Sequence, residues 1–473
     1  MNPLCTRLCT MREALEDPHI FASVLPGDSW AGWRAILIAS QGEALTDSER
    51  EHFAALTGRA HEPKASVEEL WGIVGRRGGK TRGFAVLAAY LAGLVDYSAV
   101  QAPGERLKLP ILASTTKQAT KAFTYILGIF RNGPAFAAML DGDPTGDTIR
   151  LLSGVDIEVV PANWRTVQGE TLIAALCDEV AYWRSDNSVN PDEEIIEAVR
   201  PGLATTDGPL CVLSSPYSRK GELYKAYQRD YGPTGNPKIL VFRAASRVMN
   251  PTLSEETVAK AYARDPAKAA AYYGAEFRKD VEAYITLEAV QACMPSDVRE
   301  LSPSTALTYS AFVDLAGGGA DAMTLAIGHR EGEVAVLDAV REVCGASPEA
   351  IVSEFAALCK SYRIRKVRGD AYAGEWPRER FRAHGIEYEK SELSKSQIYG
   401  EFLPVLNSQR CRLLNVPKLE AQLVSLERKT ARGTGRDSID HPQVKGAHDD
   451  VSNCVAGVLT MTTRQSVSIM DVL

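Results

Sequence analysis

The feature that most constrains this chain is a glycine-rich loop between an apolar run and a helix-forming one: Val74-Gly75-Arg76-Arg77-Gly78-Gly79-Lys80-Thr81. Cradling a phosphate takes backbone N–H groups that can approach closely, a Lys for its charge, a hydroxyl for Mg²⁺ and a helix start behind the loop. Gly78-Gly79-Lys80-Thr81 supplies all of these. The GxxxxGK[ST] pattern places Gly at position 74, where Val stands, and Gly75 comes one place late. Further on, Leu172-Ile173-Ala174-Ala175-Leu176-Cys177 runs apolar into Asp178-Glu179. This reads as a buried parallel strand delivering two carboxylates to its C-terminal edge, where ligands sit in open α/β sheets.

Together the two elements imply ATP hydrolysis with Mg²⁺. Gly75, Arg76, Arg77, Gly78, Gly79, Lys80 and Thr81 would hold the phosphates. Thr81 and Asp178 would hold the metal, and Glu179 would orient and deprotonate the attacking water. A guanidinium at Arg76 or Arg77 would stabilise charge on the γ-phosphate, and Arg76 is taken as catalytic. Ser214-Ser215-Pro216 follows another apolar run, so its hydroxyls are candidates for sensing the γ-phosphate and coupling hydrolysis to motion.

A second acidic group stands in the C-terminal part. Asp314 closes the run Tyr309-Ser310-Ala311-Phe312-Val313, and Gly317-Gly318-Gly319 turns the chain afterwards. Asp370 follows Val367-Arg368-Gly369, and Asp449-Asp450 open an amphipathic segment. Carboxylates gathered from strand ends and a helix start can hold two divalent ions, Mg²⁺ or Mn²⁺. One ion activates water and the other steadies the leaving oxygen. Asp314, Asp370, Asp449 and Asp450 are the expected ligands, and the strand–strand–helix order suggests an RNase H-like nuclease. Arg363, Arg365, Lys366 and Arg368, and further on Arg428, Lys429, Arg432 and Arg436, would touch a nucleic-acid backbone.

With 473 residues, two domains are expected. The net charge of -7 excludes a uniformly basic protein but leaves room for a local basic groove. The nine cysteines include no CxxC pair, so a structural zinc site is not expected and Cys177, Cys211 and Cys454 read as small buried hydrophobes. No signal peptide is expected in residues 1–17, and the apolar run 84–95 is too short to span a bilayer. The pattern predicts a helical lead-in over 1–70 and an α/β core over 71–220, with strands at 70–74, 110–114, 157–160, 172–177 and 210–214. A connector follows over 221–300 with one helix at 254–273, and a second α/β domain over 301–473.

These motifs resemble those of the large subunit of tailed-phage (or prophage) terminases, over nearly the whole chain. The resemblance rests on Gly75-Arg76-Arg77-Gly78-Gly79-Lys80-Thr81, Cys177-Asp178-Glu179-Val180-Ala181-Tyr182-Trp183, Ser214-Ser215-Pro216 and Gly446-Ala447-His448-Asp449-Asp450. The phosphate loop of that family carries an Arg four residues before the Lys, which is Arg76 here. The resemblance implies an N-terminal P-loop (RecA/ASCE-like) ATPase with a mostly parallel sheet and a C-terminal RNase H-like nuclease. It implies translocation of double-stranded DNA into procapsids and endonucleolytic cutting of concatemers. It also implies a small terminase subunit and a portal protein as partners, and a homo-oligomeric ring, read as a pentamer, on the portal and a monomer when alone. The place of action would be the host cytoplasm, outside the mature virion and away from membranes. Ser214-Ser215 match the coupling motif, and Asp314, Asp370 and Asp449 the metal triad, with Asp450 an alternative or additional ligand. One departure concerns the arginine finger: the family's Arg-Gly pair is Gln168-Gly169 here, which leaves Arg76, Arg77 or Arg165 to serve. A helicase-nuclease of repair or defence shares both chemistries, but normally needs a second RecA-like domain.

Overall fold

The computed structural model describes residues 2, 4–163, 169–183, 188, 190–295, 297–315, 322–369, 376–430, 437–442 and 447–464. The chain divides into two compact units, one of the described residues up to Trp183 and from Asn190 to Lys279, the other of Ser188 and the described residues from Asp280 onward.

The first unit is built on a seven-stranded sheet. Its elements are α1 (Ala31–Ser40), α2 (Asp47–Thr57), β1 (Glu69–Val74), α3 (Lys80–Gly93), β2 (Leu107–Ala113), α4 (Thr116–Asn132), β3 (Thr148–Arg150), β4 (Val155–Pro161), β5 (Ala175–Asp178), α5 (Pro191–Leu203), β6 (Leu210–Ser214), α6 (Glu222–Asp230), β7 (Ile239–Ala244), α7 (Glu255–Arg264) and α8 (Pro266–Tyr272). The strand order is β3-β4-β2-β5-β6-β1-β7, and every pair except β3–β4 is parallel. This is the RecA/ASCE-like order: β6 stands between the phosphate-loop strand β1 and the acidic strand β5. Parallel strands covered on both faces must be apolar on both faces. In β1, Leu70 and Val74 belong to one core and Trp71 and Ile73 to the other.

The region read as a connector is divided differently from the sequence expectation. The run 239–244 is a full strand, β7, paired with β1 along its length, so residues up to 279 complete the first unit. The single helix expected at 254–273 is two helices, because Pro266 cannot donate to the turn before it. Asp265 caps the second helix by accepting from the Lys268 N–H at 3.0 Å. The lead-in is tied to the same unit. The buried Arg59 guanidinium donates to the carbonyls of Asp230 (2.8 Å), Gly232 (3.1 Å) and Ile239 (2.9 Å), satisfying a charge that burial would otherwise make costly.

The second unit contains β8 (Val281–Ala283), β9 (Tyr309–Leu315), β10 (Met323–Glu331), β11 (Val334–Val343), α9 (Pro348–Ser361), β12 (Lys366–Gly369), β13 (Glu387–Lys390), α10 (Lys395–Asn407), β14 (Cys411–Arg412), α11 (Pro417–Ser425), β15 (Glu427–Thr430), β16 (Asp437–Asp440) and α12 (Asp450–Arg464). Its main sheet runs β13-β12-β9-β10-β11-β14. The meander β9–β10–β11 is antiparallel, while β12 and β13 add in parallel beside β9. This is the RNase H-like order. Helix α12 packs across β9 and β10, and the Cys454 thiol reaches the Phe312 carbonyl at 2.8 Å. A small antiparallel sheet, β8-β15-β16, binds residues 281–283 into this unit.

Gly72 sits in the middle of β1 because nothing larger fits. A Cβ there would lie 2.2 Å from Leu213 Cδ2 and 2.6 Å from the Phe242 ring. Gly72→Ala is expected to lower the stability of the first unit by about 1–3 kcal/mol through overpacking, read as an earlier first transition in urea unfolding.

Candidate functional site

Strand β1 stops at Val74, and α3 begins at Lys80. The helix is entered through Gly79 at φ 84, a left-handed conformation that favours Gly. A Cβ on Gly79 would also meet the Trp30 ring at 2.8 Å. The loop is buttressed from α1: the buried Trp33 indole N–H donates to the Gly78 carbonyl at 2.8 Å. Trp30 lies over Arg82 at 5.1 Å, and Trp71 is a core residue. Thr81 is half-buried on the first turn of α3.

The charged groups converge on one sheet edge. Lys80 Nζ, only 9% exposed, donates to the Val74 carbonyl (3.0 Å) and the Ser215 hydroxyl (2.7 Å), and pairs with Glu179 Oε1 at 3.3 Å. Glu179 Oε2 accepts from the Ser215 N–H (2.9 Å) and the Ser214 hydroxyl (3.3 Å). Glu179 itself stands at φ 53, a conformation held by its N–H bond to the Leu213 carbonyl at 2.8 Å. The Asp178 carboxyl is pushed up to about 7, first by burial and then by the Glu179 charge, while the Lys80 ammonium opposes the shift. The expected Lys80, Asp178, Glu179, Ser214 and Ser215 are thus brought together, because β6 places its end between those of β1 and β5.

The two loop arginines differ. Arg76 stacks on Tyr272, its guanidinium carbon 3.6 Å from the ring centroid, whereas at Arg77 it is the backbone carbonyl that is held, by Asn250 at 2.9 Å. Arg165 and Gln168 lie outside the described residues.

In the second unit, Asp314 sits near the end of β9, opposite Thr324. Its Oδ2 accepts from Asn453 Nδ2 at 2.6 Å. Asn453 lies one helical turn beyond Asp450, the first residue of α12. The Asp450 carboxyl is raised, first by burial and then by the neighbouring Asp449 charge. Two atoms here, Asn453 Oδ1 and Thr324 Oγ1, are shielded from solvent without a hydrogen-bond partner. β12 runs beside β9 as far as Gly369, in register with Val313. Asp370, Gly317-Gly318-Gly319, Arg432, Arg436 and Gly446 lie outside the described residues.

The adjacent carboxylates Asp449 and Asp450 are divided between two surroundings, which the sequence did not foretell. Asp449 is committed elsewhere: it contacts Lys395 Nζ (3.0 Å), the Tyr399 hydroxyl (3.0 Å) and His441 Nδ1 (2.9 Å). Lys395 and His441 also hold Asp440, at 2.5 and 3.1 Å. Asp440, His441 and Asp449 bring ligand atoms within 4.8 Å of one another, but the Lys395 ammonium already reaches both carboxylates. Asp450 opens α12 three residues before Asn453, which donates to Asp314. Among the expected basic residues, Arg363 and Arg365 are exposed, while Lys366 and Arg368 pair with Glu389. No described helix is long and apolar enough to cross a membrane.

The two units define a class: a P-loop sheet of RecA/ASCE-like order and an RNase H-like sheet in a single chain. No protein-family model and no curated protein matches the sequence. Among solved structures, the chain is similar to the HK97 bacteriophage large terminase, at 16% identity over 91% of this chain and 99% of that one, with a TM-score of 0.40. It is similar to the large terminase of a thermophilic bacteriophage at 12% identity, over 84% and 95% of the two chains, with a TM-score of 0.37. A third is the large terminase nuclease of thermophilic phage G20c with bound magnesium: 15% identity, 37% and 95% coverage, TM-score 0.32.

His441 carries a pH dependence. Hydrogen bonds to Asp440 and then Asp449 raise its imidazole to about 9 from 6.5, against the opposing effect of burial. A raised pKa stabilises the fold fully below the unfolded value, and that contribution is lost as pH rises through the folded one. The second unit is therefore expected to lose stability between about pH 6.5 and about 9 in urea titrations, and His441→Gln to lose that component of the slope.

Proposed function

We propose that this chain is the large subunit of a tailed-phage or prophage terminase. In this reading it uses ATP to translocate double-stranded DNA into procapsids and cuts concatemeric DNA with a divalent-metal nuclease. The observation that carries the reading is the pairing of two chemistries in one chain. Lys80, Glu179 and Ser215 converge at one parallel-sheet edge, and Asp314 of an RNase H-like sheet accepts from Asn453 of α12, the helix that Asp450 opens.

At the first site the loop N–H groups and Lys80 bind the β- and γ-phosphates, and Lys80 exchanges Glu179 for phosphate oxygen as nucleotide enters. Thr81 and Asp178 would hold Mg²⁺, which would neutralise phosphate charge when bound. Burial and then the Glu179 charge raise the Asp178 carboxyl to about 7, and a bound cation would favour its ionised form. Glu179, freed from Lys80, takes the proton of the attacking water. Ser214 and Ser215 touch Glu179 and Lys80 at once, so a shift at either is felt at the end of β6. Arg76 supplies the guanidinium for the γ-phosphate.

At the second site the donor set is all oxygen: the Asp314 and Asp450 carboxylates, with Asp370 as the further ligand and the unpartnered Asn453 carbonyl oxygen beside them. Such a set suits Mg²⁺ or Mn²⁺. These ions would activate water and stabilise the leaving oxygen. Asp449, neutralised by Lys395 and His441, anchors the start of α12 rather than binding metal. The partners of this reading are a small terminase subunit, a portal protein, DNA and further copies of the chain in a ring, acting in the host cytoplasm.

The test separates the two sites. Glu179→Gln and Lys80→Ala are expected to lose ATP turnover by roughly 100-fold or more while leaving plasmid cutting in Mn²⁺ or Mg²⁺ intact. Asp314→Asn and Asp450→Asn are expected to stop cutting and keep ATP turnover, with Asp449→Asn cutting better than either. A wild type that neither turns over ATP nor cuts DNA sinks the reading. An Asp450→Asn variant that cuts normally reverses the ligand assignment.

A further inference from the structure

The phosphate loop is gripped on its outer side by residues 246–273, and the grip centres on Arg76. Its N–H donates to the Tyr272 carbonyl at 2.5 Å, and its own carbonyl accepts from the Ser246 hydroxyl at 2.6 Å. The backbone of this residue is therefore held from both sides by a segment distant in sequence. Its side chain is held as well. The guanidinium carbon lies 3.6 Å from the centroid of the Tyr272 ring and 6.0 Å from that of Tyr182, which follows Asp178-Glu179 at the end of β5. Tyr182 in turn lies 5.5 Å from Tyr217, just past Ser214-Ser215-Pro216.

A guanidinium face-on to an aromatic ring at this distance is attracted by the ring's quadrupole, even when partly hydrated. The gain here is one of order. Arg76 is otherwise exposed, and an exposed Arg samples many rotamers. A side chain that must meet charge on a transferring phosphoryl group acts best when its position is set beforehand. Arg77, one place on, shows the contrast, since there the backbone carbonyl is fixed by Asn250.

We propose that Tyr272 is a positioning residue of the ATP-hydrolysing site, its ring the platform that fixes the Arg76 guanidinium beside the phosphate loop. The proposal rests on the ATP-hydrolysis reading above. It assigns to α8 a role in the reaction itself, because Tyr272 closes that helix and both its carbonyl and its ring hold Arg76.

Steady-state ATP turnover of the full chain tests it, with wild type, Tyr272→Phe, Tyr272→Leu, Arg76→Ala and the Arg76→Ala/Tyr272→Leu double variant. Tyr272→Leu is expected to lower kcat by roughly three- to tenfold with KM for ATP within about twofold. Tyr272→Phe keeps the ring and is expected to keep the rate. The double variant is expected to match Arg76→Ala, since the ring acts through the guanidinium. The proposal is overturned if Tyr272→Leu turns over ATP like wild type, if Phe falls as far as Leu, or if removing the ring lowers kcat equally without Arg76. A wild type with no ATP turnover at all fells the underlying reading instead, so the two failures are told apart.

Discussion

Both units obey one constraint: a parallel strand covered on both faces can carry polar chemistry only where it ends. Within β1, β5 and β6 the side chains are almost wholly apolar and shielded, and the charges gather at their C-terminal ends. The strand order then decides which groups meet. Because β6 lies between β1 and β5, its terminal serines stand between the ammonium of Lys80 and the carboxylate of Glu179. The same rule governs β9 in the second unit, where Asp314 sits near the strand end and α12 crosses to meet it. Supporting structure is placed to serve these edges: Trp33 holds Gly78 from one side of the loop, and Tyr272 and Ser246 hold Arg76 from another.

The local parts of this plan were legible in the sequence. A glycine-rich loop before a helix and an apolar run ending in two acids are contiguous motifs whose physics needs no distant residue. The run 239–244 was missed because it is short and follows a turn-rich stretch. It becomes a strand only by pairing with β1, a neighbour far away in the chain. The break at Pro266 is legible in the residue itself, which cannot donate to the preceding turn, although the helical spacing runs on across it. Trp33, Ser246 and Tyr272 were hidden for a different reason. A tryptophan or tyrosine in an amphipathic stretch gives no sign of whether its polar atom meets solvent or a phosphate loop.

The choice between Asp449 and Asp450 shows where sequence reading ends. The two are chemically identical and adjacent. One meets Lys395, Tyr399 and His441, while the other opens α12 with its carboxyl raised, first by burial and then by its neighbour's charge. A step of one residue at a helix start turns a side chain by about a quarter of a circle. The packing of α10 and the end of β16 against α12 gives Asp449 its partners, and no local pattern in the sequence announces that packing. The lysine belonging to this network lies at the start of α10, where a positive charge is disfavoured by the helix dipole, so its carboxylate partners must outweigh that cost.

The contact between Lys80 and Glu179 carries a consequence for how such a site cycles. The Lys80 ammonium at the glycine-rich loop is not a bare cation. It is already occupied by a carboxylate on the same chain, whose effective concentration no dilution can change. Under the proposed reading, entry of a nucleotide would be a displacement, its affinity moderated by a tethered rival. The same rival would be on hand when phosphate departs, so the Lys80–Glu179 pair would re-form without waiting for any collision. A site built in this way would favour letting go, as the repeated steps of the proposed translocation require.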